Sequence, residues 1–97
     1  IKIDYNNKEL ERLITKGKSS LYKGISRKKS FMKTLQAFSY LLRFLFSTED
    51  LLLYKQYHYK RYSSTSLVLI NGSGIQRKLL FSERDQGKSI IINDLIL

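Results

Sequence analysis

The chain has 97 residues, of which 42% are hydrophobic and 27% charged, and these values are typical of one globular domain over residues 1–97 rather than of a disordered segment. It contains no cysteine and one histidine, which excludes a disulfide framework and argues against a structural metal site. No apolar run approaches the roughly 18–20 residues of a membrane span, and the N-terminus lacks a signal-peptide pattern, so we expect a cytoplasmic protein.

The net charge of +10 is unevenly distributed along the chain. No acidic residue stands between Glu11 and Glu49. That interval holds nine cations: Arg12, Lys16, Lys18, Lys23, Arg27, Lys28, Lys29, Lys33 and Arg43. Such a surface attracts polyanions, namely nucleic acid, an anionic membrane or an acidic protein. The alternative is a lysine-rich helix face that only keeps the protein in solution.

The N-terminal third predicts a strand followed by a helix. Residues 1–5 alternate apolar and polar side chains, which is the pattern of a short strand. Asn6 and Glu9 then approximate a capping box at the start of a helix. Its apolar stripe is Leu10, Leu13 and Ile14, and Gly17 is a suitable stop. Residues 18–24 are expected to form a basic loop.

A second, longer helix is predicted to begin at Ser26 as its cap. Apolar residues recur at helical spacing through Phe31, Leu35, Phe38, Leu42, Leu45 and Phe46. Leu41 and Phe44 widen this stripe near its C-terminal end, so we expect that end to be deeply buried. Residues 47–50 should then break the helix.

The second half of the chain changes to the period of strands. Residues 57–62, 66–70, 76–83 and 89–95 are rich in aromatic or β-branched side chains, and turns are indicated at 71–74 and 85–87. Short connections between successive strands predict an antiparallel meander. The expected fold is therefore α+β, with a hairpin of two basic N-terminal helices packed on one face of an antiparallel sheet and the other face open.

Residues 54–62, Tyr-Lys-Gln-Tyr-His-Tyr-Lys-Arg-Tyr, contain four tyrosines, three cations and the only histidine. A site that handles phosphate uses cations to hold it, rings to stack on bases, and a group that can move a proton near neutral pH. The alternative is an amphipathic strand whose tyrosines pack under the sheet while the lysines are solvated. Paired carboxylates at a useful spacing, a nucleophile elbow and a GxGxxG loop are absent.

These residue types suit metal-free RNA cleavage, in which a ribose 2′-hydroxyl attacks the adjacent phosphate. His58 could exchange a proton, and Lys60, Arg61, Arg77 and Lys78 could stabilise the growing charge. In a regular strand, His58, Lys60 and Tyr62 would share one face, and Tyr57, Tyr59 and Arg61 the other. Alternation in the later strand places Lys78 on the open face, and Arg77, Leu79, Phe81 and Glu83 on the side covered by helices.

The order of these parts resembles the RelE/ParE toxin superfamily over nearly the whole chain, and most of all the HigB-like killer proteins of bacterial type II toxin–antitoxin systems. The resemblance rests on the basic helices, on His-Tyr-Lys-Arg at 58–61, Asn-Gly at 71–72, Gln-Arg-Lys-Leu-Leu-Phe-Ser-Glu at 76–83, and Ser-Ile-Ile-Ile-Asn-Asp-Leu-Ile at 89–96. It implies a RelE-like fold and a metal-free, cofactor-free endoribonuclease that cuts mRNA on the ribosome. Gyrase-poisoning relatives share the fold, so the activity does not follow from the fold alone.

The resemblance also assigns partners and residues. It implies a cognate antitoxin, of helix-turn-helix or acidic type, through which alone the toxin meets operator DNA. By position, it implies that the catalytic candidates are His58, Arg61 and Lys78. The RNA-binding candidates come from the basic half of the chain and the open sheet face, and they are Lys28, Lys29, Lys33, Lys60, Tyr62 and Arg77. Val68 stands where many relatives have a basic residue, Lys78 where they usually have arginine, and the chain ends at Leu97, before the family's His- or Tyr-bearing tail. A non-catalytic nucleic-acid-binding module of the same fold therefore stays open as an alternative.

Overall fold

A computed structural model describes all 97 residues and places three α-helices between the first strand and the other four. In chain order the elements are β1 (Lys2–Tyr5), α1 (Lys8–Lys16), α2 (Lys23–Ser26), α3 (Lys29–Leu42), β2 (Lys60–Arg61), β3 (Ser66–Gly72), β4 (Ile75–Arg84) and β5 (Ser89–Ile96). Three 3₁₀ helices, Thr48–Leu53, Lys55–Tyr57 and Asp85–Gly87, lie in the connections. The α+β class is confirmed. None of the helices has the length and apolar character that crossing a bilayer requires.

The strands form one sheet in the order β1-β5-β4-β3-β2. The predicted meander is confirmed, because β2, β3, β4 and β5 pair antiparallel with their neighbours. The expectation of a purely antiparallel sheet is wrong, since β1 runs parallel to β5 and sets Ile3 beside Ile90. The helices carry the chain from β1 to the opposite edge of the sheet, so β1 and β5 meet without a hairpin between them.

The two faces of the sheet differ in burial, and we call them the core face and the outer face. On the core face lie Val68, Ile70, Leu79, Phe81, Ile90 and Ile92, which form a single apolar cluster with Leu10, Leu13, Phe31, Leu35, Phe38 and Leu42 of α1 and α3. On the outer face, half-buried or exposed, lie Lys60, Leu67, Leu69, Asn71, Gln76, Lys78, Leu80, Ser82 and Ile91. The predicted burial of Leu79 and Phe81, and the exposure of Lys78, are confirmed.

The N-terminus of α3 packs directly on the end of β3. A Cβ atom on Gly72 would lie 2.6 Å from the Phe31 backbone nitrogen, so only glycine permits this approach. The contact fixes the start of α3 against the sheet. The Ser30 and Phe31 N–H groups also donate to the Ser73 hydroxyl, so the basic first turns of α3 are held beside the turn between β3 and β4.

The ends of α1 follow ordinary capping chemistry with a shift of one residue. Asn7, rather than the predicted Asn6, is the N-cap, because its side chain accepts a hydrogen bond of 3.1 Å from the Leu10 N–H. Gly17 ends the helix as predicted, with a left-handed φ of 71° and its N–H bonded to the Leu13 carbonyl.

The second predicted helix is divided and shorter than expected. Residues 18–24 are not all loop, because α2 begins at Lys23. Ser26 does not cap α3; its hydroxyl donates to the Lys23 carbonyl instead, and α3 begins at Lys29. Because α3 stops at Leu42, later apolar residues no longer follow its buried stripe. Phe44 and Phe46 are 70% and 73% exposed, so the predicted deep burial of this end is wrong.

The predicted strand over residues 57–62 is also wrong. Tyr57 ends a 3₁₀ helix, His58 is left-handed with φ 49°, and only Lys60–Arg61 pair as a strand. Tertiary packing decides this geometry: the Tyr57 ring contacts Phe38 at a centroid distance of 4.7 Å, and Tyr59 stacks over Phe81 at 6.3 Å. The two tyrosines anchor this segment to the core. The alternative interpretation of residues 54–62 is thus right about the packing of Tyr57 and Tyr59 but wrong about a strand, and Tyr62 is exposed.

Candidate nucleic-acid interface

The outer face carries two lysines beside the side chains of Leu67, Leu69 and Leu80, which we call the aliphatic floor. Lys60 pairs with Leu67 and Leu67 with Leu80, while Lys78 pairs with Leu69. Strands lie about 4.8 Å apart and rise about 3.3 Å per residue, so this register puts the Lys60 and Lys78 Cα atoms about 12 Å apart. Both lysines are exposed. Their flexible side chains can therefore contact neighbouring phosphates of one extended polyanion.

A β-bulge brings polar groups to the same face. Leu80 pairs with Asp94 and Phe81 with Ile92, which leaves Asn93 as an extra residue in β5. The Asn93 side chain donates a 2.9 Å hydrogen bond to the Ser82 hydroxyl. Neither residue was selected from the sequence, because nothing in the local pattern of residues 89–95 marks a bulge.

A second polar contact ties the end of β5 to the helices. The Tyr22 hydroxyl donates to Asp94 Oδ1 at 3.2 Å and accepts from Asn7 Nδ2 at 3.3 Å. Burial, together with the negative charge of Asp94, raises the pKa of Tyr22. Tyr22 thus stays protonated and holds the bulged strand near the start of α1.

The three predicted catalytic residues are not gathered at one point. His58 is exposed and lines a cavity of about 360 Å³ with Lys55, Tyr59 and apolar neighbours, outside the sheet. Lys78 lies in the middle of β4 on the outer face. Arg61 pairs with Ser66 on the core-face register, and its Nη1 lies 3.5 Å from Glu83 Oε1. No hydrogen bond or ion pair joins any two of the three.

The predicted RNA-binding residues divide into separate groups. Lys28, Lys29 and Lys33 are exposed at the start of α3, and Lys60 is exposed on the outer face. Tyr62 is exposed directly after β2. Arg77 is half-buried, pairs with Ile70 on the core-face register, and donates to the Gln76 carbonyl at 3.0 Å. The outer face and the start of α3 are thus two distinct cationic regions.

Glu83 is the centre of a cluster that the sequence reasoning did not single out. Its side chain is only 9% exposed and accepts hydrogen bonds from Thr48 Oγ1 (2.6 Å), from the Tyr59 hydroxyl and from the Ser66 hydroxyl. Burial alone would raise the pKa of Glu83, but these three donors and the charge of Arg61 outweigh it and lower that pKa. The Glu83 cluster therefore joins the first 3₁₀ helix, the segment before β2, and β2 and β3 themselves.

The turn that follows Glu83 has an unusual backbone. Asp85, Gln86 and Gly87 all have positive φ, at 53°, 57° and 81°. A Cβ atom on Gly87 would overlap Thr48 Oγ1, the same hydroxyl that donates to Glu83. The strained turn is held by its contact with the Glu83 cluster. A polar cavity of about 470 Å³, lined by residues 61–66 and 83–87, opens beside it.

One signal in the sequence could have identified Glu83. It occupies the alternate position after Leu79 and Phe81, so it falls on the core face as the only carboxylate among apolar side chains. A carboxylate on a buried face requires donors, and the nearby Arg61, Ser66 and Tyr59 supply them.

Neither a family model nor a curated protein nor a solved structure matches this chain. No three His, Cys, Asp or Glu side chains are grouped as the ligands of a metal ion would be. The cationic regions and the Glu83 cluster are thus the features on which a functional argument depends.

Proposed function

We propose that this chain is the toxin of a bacterial type II toxin–antitoxin pair, of the RelE/HigB-like type, and that it binds mRNA on the ribosome and cleaves it without a metal. The main observation in support is that Lys60 and Lys78 lie together on the outer face, beside the aliphatic floor of Leu67, Leu69 and Leu80. The order of one strand, helices and a terminal meander, and the resemblance of residues 58–61 and 76–83, support the same conclusion.

RNA would lie across the outer face, because the helices bury their apolar side chains in the cluster on the core face and leave the outer face to the ligand. Phosphates would contact Lys60 and Lys78. Bases would contact the aliphatic floor, and the exposed ring of Tyr62 at the end of β2 would stack on one of them.

In the cleavage step, the ribose 2′-oxygen forms a bond to phosphorus as the bond to the 5′-oxygen breaks, which leaves a 2′,3′-cyclic phosphate and a 5′-hydroxyl. Lys78, assisted by Lys60, would stabilise the negative charge that grows on the phosphoryl oxygens. His58, in the segment leading into β2, would accept the proton of the 2′-hydroxyl, and the departing 5′-oxygen would take a proton from water. Arg61 is bound to Glu83, so we assign it the positioning of β2 and hence of Lys60.

The experiment is an in vitro translation reaction with primer extension on the mRNA, comparing wild type with Lys78→Ala and His58→Ala. Removal of a charge-stabilising or proton-transferring group lowers such rates by about 10²-fold or more. Lys8→Ala removes the same charge from an exposed position on α1 and serves as the control. Cleavage at the wild-type rate by both site variants would refute the assigned residues.

The cognate antitoxin is the partner we propose for the toxin. A net charge of +10 favours an acidic protein or an acidic segment of a helix-turn-helix protein. An adjacent reading frame whose product copurifies with the chain and relieves growth arrest would support the pairing. Copurification without relief of growth arrest would count against it.

The runner-up is a non-catalytic nucleic-acid-binding module of the same fold. It is favoured by the separation of His58 from Lys78 and by the engagement of Arg61 with Glu83. It predicts RNA or DNA binding that weakens steeply with salt, with the RNA intact after long incubation. Product bands in the primer-extension experiment exclude this alternative.

A further inference from the structure

A third cationic site lies away from the outer face and from the start of α3, in a concave pocket of about 480 Å³ between α1 and α2. No hydrophobic residue lines it. Its walls are five cations and three serines: Arg12, Lys16, Lys18, Lys23, Arg27, Ser19, Ser20 and Ser26. None of these belongs to a strand of the sheet, and none is among the residues assigned to RNA binding or cleavage above. We call it the α1–α2 pocket.

Glu9 organises the wall of this pocket. Its Oε1 accepts hydrogen bonds from the Ser19 hydroxyl (2.9 Å), the Ser20 N–H (3.0 Å) and the Ser20 hydroxyl (2.9 Å). These bonds, first those from Ser20 and Ser19, lower the pKa of Glu9 to about 2, so its carboxylate is ionised at physiological pH. The left-handed Gly17 turns the chain out of α1 and into this wall.

The cations of the pocket are largely uncompensated. Arg12 forms an ion pair with Glu9 at 3.3 Å, whereas Lys16, Lys18, Lys23 and Arg27 have no carboxylate within salt-bridge distance. Like charges gathered in a concavity raise the local positive potential. A bound anion would relieve their repulsion.

The lining also restricts the chemistry of that anion. The hydroxyls of Ser19 and Ser20 donate to Glu9, and the Ser26 hydroxyl donates to the Lys23 carbonyl. The cations must therefore hold the ligand, which favours a multiply charged group. An acidic peptide would need apolar anchors to bind specifically, and a nucleobase would need a ring to stack on; the pocket has neither.

We infer that the α1–α2 pocket is a phosphate-binding site for the phosphodiester backbone of RNA, with Glu9 as its positioning residue. The inference rests on the proposed function only in the choice of RNA as the polyanion. It does not require cleavage, and it assigns the protein a contact separate from Lys60 and Lys78.

The first experiment maps the site with amide NMR during titration with tripolyphosphate. We expect the largest shifts within residues 12–27, and their loss in the double variant Lys16→Ala/Lys23→Ala. The control double variant Lys8→Ala/Lys88→Ala has the same net charge and should keep these shifts. Equal loss of the shifts in both double variants would mean that only the net charge of the protein matters, and would overturn the inference.

The second experiment identifies the source of the phosphate. A short single-stranded RNA should displace tripolyphosphate from residues 12–27, whereas poly-glutamate of equal charge should not. The binding constant K for that RNA falls with salt concentration. Because Lys16→Ala/Lys23→Ala loses two phosphate contacts, the negative slope of log K against log salt should become shallower by about 1.4. Displacement by poly-glutamate but not by RNA would instead identify an acidic-protein site.

The third experiment separates the positioning role of Glu9 from its charge. Glu9→Ala and Glu11→Ala each remove one negative charge from α1. Simple electrostatics predicts tighter anion binding in both, but loss of the Ser19 and Ser20 hydrogen bonds should weaken binding severalfold in Glu9→Ala alone. Tighter binding in both variants would refute the role of Glu9. Because Lys78→Ala tests cleavage independently, failure of the proposed function would be distinguishable from failure here.

Discussion

Two carboxylates, Glu83 and Glu9, gather hydroxyl donors by the same chemistry in different surroundings. Glu83 is 9% exposed, and its donors Thr48, Tyr59 and Ser66 come from segments 17 to 35 residues away. Glu9 is 26% exposed, and its donors Ser19 and Ser20 lie on one loop 10 and 11 residues away. The long-range cluster joins parts of the fold, whereas the short-range one shapes a surface. Substitutions at Glu83 should therefore change the free energy of unfolding, whereas substitutions at Glu9 should change only the local surface.

The largest effect is expected from Gly87→Ala, at the edge of the Glu83 cluster. An added Cβ would overlap Thr48 Oγ1, lie 3.1 Å from the Thr48 nitrogen, and require a left-handed φ of 81°. Backbone strain and steric overlap together should lower the free energy of unfolding by about 3 kcal/mol. Urea unfolding followed by circular dichroism measures this loss.

Gly74→Ala is the matched control for that substitution. Gly74 has a similar φ of 75° but nothing within 4 Å of its added Cβ. It should lose only the backbone part, about 1 kcal/mol. Equal losses at Gly74 and Gly87 would show that contact with Thr48 does not matter.

The next effect is that of Glu83→Gln. The amide keeps the shape and one acceptor oxygen but removes the charge that faces Arg61 and leaves the Tyr59, Thr48 and Ser66 donors less well satisfied. We expect destabilisation of about 1–3 kcal/mol. Glu49→Gln removes the same charge from an exposed side chain that accepts no hydrogen bond, and its unfolding free energy should stay near that of wild type. If Glu83→Gln lost no more unfolding free energy than Glu49→Gln, Glu83 would not be what joins these parts of the fold.

The pH dependence of stability gives a smaller but more specific effect. The folded-state pKa of Glu83 is lowered from its usual value of 4.5, because hydroxyl donors and Arg61 outweigh its burial. A lowered pKa contributes stability that is fully present above pH 4.5 and is lost as the pH falls through the folded-state pKa. The stability difference between wild type and Glu83→Gln should therefore shrink on acidification below about pH 5. A difference that stays constant from pH 7 to pH 3 would contradict the assignment.

The sequence predicts the regular strands of this fold better than the irregular segments between them. Alternation of Leu79 and Phe81 with Lys78 and Leu80 predicts both faces of β4, because strand side chains follow a period of two. Tyr57 and Tyr59 obey that period too, yet Tyr57 ends a 3₁₀ helix, His58 is left-handed, and Tyr59 lies in the irregular connection before β2. Their contacts with Phe38 and Phe81, which are remote in the sequence, decide the geometry.

The candidate sites show the same limit. Lys78 on the outer face follows from local alternation, whereas the partners of Arg61 and Glu83 do not. Thr48 lies 35 residues before Glu83, so no local pattern connects them. The cations of the α1–α2 pocket are evident in the sequence as a run without acidic residues. Composition does not indicate that they line a concave pocket, nor that Glu9 binds the Ser19 and Ser20 hydroxyls and the Ser20 N–H in its wall.

The smallest effect on global stability is expected from Glu9→Ala. Because the hydrogen bonds of Glu9 close only a surface loop, their loss should leave the urea midpoint nearly unchanged. The Ser20 N–H donates a hydrogen bond of 3.0 Å to Glu9, so in Glu9→Ala its hydrogen should exchange with solvent several times faster than in wild type. The Ile90 and Ile92 amides of β5 should keep their protection. Hydrogen exchange measured by NMR at these positions checks the prediction, with Glu11→Ala as the charge-matched control. If Glu9→Ala instead lowered protection across β5, Glu9 would join the fold as Glu83 does, and the distinction between the two carboxylates would fail.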